Sequence, residues 1–205
     1  MGRPRQFDEE AALDLAVEQF WEHGYEATSI RDLAASMGLT TASLYNSFGD
    51  KRSLYRQSLN FYVEHSFADR VNRFEASLPP RDAVEAFFAE IVDRSLADPK
   101  RKGCMLVNSA LELAPHDPEF QRMIAQVLVR VEAFFQRCVE SGQADGTIST
   151  AQPSADLARM LLAGLLGIRV LARVRPEREL FEGIVRPLLA MLDPTIPPAK
   201  ELLPS

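Results

Sequence analysis

Small polar side chains concentrate in one eight-residue segment, Thr41 to Phe48. Hydroxyl, amide and phenol groups can form hydrogen bonds with base edges and phosphates when a helix enters a major groove. Lys51 stands at the start of the next predicted helix, where an ammonium group beside free backbone N–H groups would suit a phosphate. The sequence therefore predicts a DNA-reading surface, with these candidates: Thr41, Ser43, Tyr45, Asn46 and Lys51.

Two short helices joined by a tight turn must position this surface. Apolar residues at positions 30, 33, 34 and 37 predict the first helix, with Thr28 as its cap. Gly38 ends that helix and can adopt the left-handed conformation that the turn requires. The second helix covers residues 41–48 and turns Leu44 and Phe48 inward. This arrangement is the helix-turn-helix pattern.

The rest of the chain predicts an all-α fold of about nine helices. Glycines and prolines separate segments that carry the 3.6-residue period, and no convincing alternation supports strands. Asp117 and Pro118 mark one clear helix start, as N-cap and first helical residue. We expect a three-helix headpiece over residues 1–50 and a C-terminal helical ligand-binding and dimerisation domain over 51–205. A helix over residues 51–74 connects the two.

The last two predicted helices cover residues 154–174 and 177–192. The first is apolar nearly all round, which is typical of a helix buried in a core or an interface. Gly164 and Gly167 allow a close backbone approach. We therefore predict that this pair forms a two-fold, four-helix dimer interface, with internal core packing as the alternative.

The N-terminal segments resemble the TetR family of one-component transcriptional regulators. The resemblance covers about the first sixty residues and has no gap between Gly24 and Lys51. It implies a homodimer that binds a palindromic operator as a repressor and is released when a small-molecule effector enters the C-terminal domain. The matching segments are Phe20–Tyr25, Thr28, Ile30–Ala34, Met37–Leu39 and Ser43–Lys51.

The resemblance also implies roles for single residues. It assigns Tyr45 and Lys51 to phosphates and places Thr28 at a helix cap near the DNA backbone. A basic arm that contains Arg3 and Arg5 would track the minor groove. Within reach of bases or adjacent phosphates are Arg31, Thr41, Ser43 and Asn46.

An effector pocket is expected among the helices of residues 80–141. Phe88 and Phe134 would supply aromatic walls, although their helical spacing alone favours ordinary core packing. Asn108 and Glu112 lie on one helical face beside Leu111, and a buried polar pair of this kind needs partners. These residues are candidate ligand contacts, and a solvated polar stripe is the alternative.

Cys104 offers a different kind of sensor. It follows Arg101, Lys102 and Gly103 near a predicted helix start, and both features lower the pKa of a thiol. The resemblance extends to family members that sense electrophiles or oxidants through a cysteine in a similar position. One alternative function is therefore a repressor that acts through this thiol, and the alternative role for Cys104 itself is that of a small buried hydrophobic side chain. Another alternative function is a ligand-binding helical protein that does not bind DNA.

Composition excludes several other classes. The formal net charge of −6 argues against a nucleic-acid binder, but residues 1–60 and the rest of the chain each carry −3, so charge does not mark the headpiece. Apolar stretches reach only about nine residues and a membrane span needs about 20, so we expect no membrane partner and a cytoplasmic protein. Metal-ligand spacings, a nucleophile elbow and a phosphate loop are all missing. The sequence therefore predicts neither an enzyme nor a bound metal or cofactor.

Overall fold

The computed structural model describes residues 8–194, and every regular element in this range is a helix. A π-helical turn, Glu64–Ala68, joins α4 to α5 without a break, so the described range contains nine separate helices, as predicted. The basic arm of Arg3 and Arg5 lies outside the described residues. The helices are α1 (Glu9–His23), α2 (Ile30–Ser36), α3 (Thr41–Phe48), α4 (Lys51–Val63), α5 (Asp69–Ser77), α6 (Pro80–Ala97), α7 (Met105–Glu112), α8 (Pro118–Asp145), α9 (Ser154–Val174) and α10 (Arg178–Ala190).

A first apolar core joins the three N-terminal helices to α4, α7 and the start of α8. Phe20 of α1 meets the ring of Tyr55 in α4 edge to face, with centroids 4.7 Å apart. Tyr55 also meets Phe120 of α8 at 5.5 Å. Full burial of one such side chain stabilises a fold by about 1.5–3 kcal/mol. The headpiece therefore shares a core with the rest of the chain and is not an independent unit on a flexible linker.

A second apolar core lies among α5, α6, α8, α9 and α10. Phe88 and Phe134 are both fully buried in it. Their rings pack against Phe87 and Phe135, with centroids between 5.2 and 6.2 Å apart. Core packing, the alternative left open by the sequence, accounts for the position of both residues.

The helix starts follow the local sequence. α8 begins as predicted, with Asp117 accepting the N–H groups of Glu119 and Phe120 and Pro118 in the first helical position. The connecting helix runs on to Ser77, three residues beyond its predicted end, and contains the π turn, which the apolar period does not reveal. Within residues 8–194, no helix has both the length and the apolar character needed to cross a bilayer.

Candidate DNA-binding interface and effector site

The first helix of the helix-turn-helix is capped by Ser29, so the prediction of Thr28 as its cap is wrong by one residue. Ser29 Oγ accepts the N–H of Asp32 at 3.1 Å, and Asp32 Oδ2 accepts the N–H of Ser29 at 3.2 Å. This reciprocal pair is a capping box. Thr28 is only 2% exposed, and its hydroxyl donates to the carbonyl of Gly24 at 2.6 Å. Its side chain therefore faces away from the surface on which DNA would lie.

The turn between α2 and α3 depends on a glycine. Gly38 has φ of +65°, a conformation that costs a residue with a side chain about 1–2 kcal/mol. Thr40 then caps α3 by accepting the N–H of Ser43 at 3.1 Å. The two hydroxyls of Thr40 and Ser43 also lie 2.9 Å apart, so Ser43 takes part in the cap and is half-buried.

The second helix is anchored on one side and open on the other. Leu44 and Phe48 are buried against the headpiece core. Thr41 and Tyr45, one turn apart, share the exposed side, and Tyr45 keeps 51% of its surface in solvent. Asn46 is exposed as well, and so is Arg31 of α2. The helix thus presents hydroxyl, phenol and amide groups outward, as predicted.

Lys51 at the start of α4 is held over the turn that follows α1. Its Nζ donates to the carbonyl of Glu26 at 3.3 Å and lies 4.4 Å from the ring centroid of Tyr25. The two cations that follow it have other partners. Arg52 pairs with Asp117 at 2.9 Å, and Arg56 pairs with Glu119 at 3.1 Å. Of Lys51, Arg52 and Arg56, Lys51 is therefore the one that remains available to a phosphate.

A cavity of about 60 Å³, here called the inner cavity, lies between α4, α7, α8 and α9. Its lining is mainly apolar but includes Tyr62, Cys104 and Arg169. The hydroxyl of Tyr62 donates to Cys104 Sγ at 3.5 Å. Burial opposes ionisation of Cys104, but the Arg169 guanidinium, the Tyr62 hydroxyl and a backbone N–H outweigh it and hold the pKa of Cys104 below the usual thiol value.

The other predicted ligand contacts on α7 lie elsewhere. Asn108 Nδ2 donates to the carbonyl of Lys102 at 3.0 Å. Glu112 accepts the N–H groups of Tyr25 and Glu26 at 3.2 and 3.0 Å. Leu111 is 68% exposed. The two polar side chains satisfy backbone groups of nearby turns, so of the α7 candidates only Cys104 lines the inner cavity.

Two residues of this cavity were missed from the sequence. Tyr62 and Arg169 were not among the candidates, because neither belongs to a recognisable motif. One signal was present: Arg169 interrupts the apolar run of α9, between Ile168 and Val170. A charge in such a run needs a partner or a function.

Comparison with known proteins gives matches over most of the chain. Residues 12–57 match the family described as "Bacterial regulatory proteins, tetR family", and residues 80–187 match "Tetracyclin repressor-like, C-terminal domain". The uncharacterized HTH-type transcriptional regulator YezE of Bacillus subtilis is 34% identical over 94% of this chain and all of its own length. The HTH-type transcriptional repressor ComR of Escherichia coli is 31% identical over 84% of this chain and 82% of its own. A solved structure of a cysteine mutant of the TetR family regulator CifR, complexed with 26-bp double-strand operator DNA, is 29% identical with a TM-score of 0.81 and covers 92% of this chain and 98% of its own.

Proposed function

The chain belongs to the TetR family of bacterial regulatory proteins, and we propose that it is a dimeric repressor that binds a palindromic operator in the cytoplasm and leaves it when a small-molecule effector binds. The observation that carries this proposal is the open polar face of α3. That helix buries Leu44 and Phe48 and keeps Thr41, Tyr45 and Asn46 in solvent. A polar helix face on a rigid, capped turn suits insertion into a major groove.

The relatives support the same assignment. ComR is named as a transcriptional repressor, and CifR has been solved on operator DNA. The resemblance in the headpiece spans the helix-turn-helix itself, since the family match begins at residue 12 and ends at residue 57. From these proteins we infer that the partner is double-stranded DNA, and we make no inference about the operator sequence.

The dimer in this proposal forms through α9 and α10. Met160, Val170 and Val174 of α9 are large apolar side chains that remain 44–65% exposed in a single chain. Gly167 lies among them and has open space beside it, where a partner helix could approach. Gly164 has a different role from the one predicted, because it packs against Leu188 of the same chain. A two-fold partner would cover the exposed apolar side chains.

The experiment is a binding measurement with an operator that the wild-type protein selects from random duplexes. Lys51→Met keeps the side-chain stem over Tyr25 but removes the charge, and Tyr45→Phe removes one hydroxyl. Each change should weaken duplex binding, and Lys51→Met should also reduce the salt dependence by about one unit of slope per site contacted. Arg130→Met, which removes a surface cation of α8, is the matched control.

Failure to select any duplex would favour the alternative of a ligand-binding protein without DNA binding. If duplexes are selected but both headpiece variants bind them like the wild type, the assignment of α3 to the groove is wrong. Folding of each variant is checked first by its unfolding transition in urea.

A second candidate function is release by an electrophile that reacts with Cys104. The contact between Cys104 and Tyr62, beside Arg169, favours it because a nearby cation stabilises the reactive thiolate. N-ethylmaleimide should release the wild-type protein from DNA: the sulfur bonds to one carbon of the maleimide double bond, the π bond of that double bond breaks, and the thiol proton ends on its other carbon. Cys104→Ser should resist release, whereas Cys138→Ser should respond normally, since burial raises the pKa of Cys138 to about 12. Full release of Cys104→Ser would exclude this mechanism.

A further inference from the structure

A larger cleft adjoins the inner cavity on the side of the headpiece. This outer cleft has a volume of about 520 Å³ and lies between α1 and the helices α4, α6 and α9. Tyr62, Ser66 and Arg169 line both spaces, so these three side chains form the boundary between them. The lining of the outer cleft mixes polar and apolar side chains, whereas the inner cavity is mainly apolar. Together they would accommodate a molecule with one charged end and one short apolar end.

The boundary carries an excess of positive charge. Arg169 has no carboxylate partner within residues 8–194. Its Nη1 donates to the neutral Ser95 hydroxyl at 3.1 Å. Arg70 and Arg94, which also line the outer cleft, both pair with the single carboxylate of Glu90. Arg73 uses the other oxygen of that carboxylate and also pairs with Asp69. The guanidinium groups near the boundary therefore outnumber the acids that could balance them.

Three acidic side chains also line the outer cleft. Glu18 of α1 is paired with Lys102 at 2.7 Å. Asp98 accepts the N–H groups of Lys100 and Lys102. Asp14 is the remaining acid of the lining. Glu18 and Asp98 therefore have partners in the chain, and Asp14 and Glu18 lie on α1, whereas Arg169 lies on α9.

Trp21 adds an unmatched hydrogen-bond donor to the same cleft. Its Nε1 is buried and has no acceptor in the part of the chain that the structure describes. Buried donors of this kind are rare, because each costs about 1–3 kcal/mol when it is left unpaired. A ligand that brings acceptor oxygens would remove that cost.

The π turn supplies the adjoining wall. His65 and Ser66 of this turn line the outer cleft, and Phe67 lines the inner cavity. Single π-helical turns within α-helices are frequent at functional sites. Here the turn lies between the headpiece and the body of the chain, at the place where both spaces meet.

We propose that the effector is a small organic acid whose carboxylate pairs with Arg169 and whose short apolar group enters the inner cavity. The guanidinium fork of arginine matches a carboxylate in a bidentate geometry. The acid would contact α1 as well as α9, so its binding would act directly on the position of the headpiece. The role of the acid as an effector rests on the proposed function, whereas the binding site itself does not.

The test uses a set of acids of different shape, namely pentanoate, hexanoate and benzoate, each paired with its neutral amide. Trp21 is the single tryptophan of the chain and lines the outer cleft, so its fluorescence reports occupancy in the absence of DNA. We expect saturable binding of at least one acid and binding of the amide weaker by roughly tenfold to a hundredfold. Arg169→Gln should abolish that preference for the acid, whereas Arg159→Gln on the same helix should retain it.

Arg169→Lys covers the case in which Arg169→Gln does not fold. It keeps the charge but loses the bidentate geometry, so it should bind the acid more weakly than the wild type while still preferring it to the amide. Binding of amides as tightly as acids, or an unchanged acid affinity in the Arg169 variant that folds, would overturn the proposal. So would the absence of saturable binding by every acid in the set.

Duplex binding separates this proposal from the proposed function. Arg169→Gln lies outside the groove-facing surface and should bind the selected operator like the wild type when no acid is present. An acid that binds but leaves the duplex affinity unchanged would overturn its role as effector. Because Trp21 fluorescence needs no DNA, the acid site can be confirmed or excluded even if no operator is found.

Discussion

Glu112, the last residue of α7, accepts the backbone N–H of Glu26 at 3.0 Å, although 86 residues separate the two in the chain. Its second oxygen accepts the N–H of Tyr25, so one carboxylate holds two donors of the turn between α1 and α2. The opposite end of the same short helix begins next to Cys104, which lines the inner cavity. α7 therefore spans the distance between the cavity and the helix-turn-helix with a single rigid element.

Glu112→Ala should loosen the headpiece. Removing the carboxylate leaves two backbone N–H groups without their charged acceptor, and we expect a loss of about 1–3 kcal/mol in the free energy of unfolding. Hydrogen exchange at Tyr25 and Glu26 should become faster, and duplex affinity should fall. Glu85→Ala, which removes a partly exposed ion pair with Arg81 one helical turn away, is the control and should change stability by less than about 1 kcal/mol. Equal exchange rates in the two variants would show that the Glu112 contact does not hold the turn.

Gly38→Ala should impair both stability and DNA binding. A Cβ at this position would meet no atom within 4 Å, so the expected cost of about 1–2 kcal/mol comes from the backbone conformation alone. Gly146, the C-cap of α8, has φ of +81° and equally open surroundings. Gly146→Ala should therefore lower the free energy of unfolding by a similar amount and leave duplex affinity unchanged. A loss of DNA binding in both variants would mean that general stability, and not the turn, explains the effect.

Val174→Glu should weaken the dimer. Val174 is 65% exposed at the end of α9, and a carboxylate placed in the proposed two-fold interface would face its own symmetry mate or an apolar helix. Sedimentation velocity should show a larger monomer fraction at micromolar concentration. Val129 of α8 is 63% exposed and provides a control of the same residue type. If Val129→Glu dissociates the dimer and Val174→Glu does not, the interface lies on α8.

Acid should weaken the junction between α4 and α8 through Asp117. Hydrogen bonding to Arg52 lowers the pKa of Asp117 to about 2, below the value of about 4 expected in an unfolded chain. The ionised form therefore stabilises the fold above about pH 4, and that contribution is lost as the pH falls from about 4 to about 2. Asp117→Asn keeps a capping side chain but not the charge.

The measurement is the urea midpoint of the wild type and of Asp117→Asn at several pH values. The difference between the two proteins should be largest at neutral pH and should vanish near pH 2. Asp93→Asn, which removes an exposed carboxylate paired with Arg178, should not reproduce this dependence. A difference that stays constant from pH 7 to pH 2 would show that the charge of Asp117 does not stabilise the junction.

The helical plan was largely predictable because the apolar period and the helix caps are local signals. α9 covers residues 154–174 as predicted, and Asp117 and Pro118 begin α8 as predicted. The cap of α2 was misplaced because Thr28 and Ser29 are both good capping residues. Asp32, three residues after Ser29, was the signal that decides between them.

The effector site was less predictable because it depends on contacts between distant segments. Glu112 looked like a polar group in need of a ligand, but its partners are backbone donors 86 and 87 residues away. Arg169 and Tyr62 come together only when α4 and α9 both pack against α7. Nothing in either segment alone indicates that meeting.

The ion pairs of Arg52 and Arg56 with α8 affect how DNA binding would respond to salt. The first sixty residues contain six cations, and these two are neutralised by acids of the same chain. Among the described residues of the headpiece, a protomer then offers Arg31 and Lys51 to phosphates and a dimer offers four such cations, which limits their share of counterion release to a slope of roughly −4 in a plot of log K against log salt concentration. Carboxylates remote from the operator would thus make repression less sensitive to changes in cellular ionic strength.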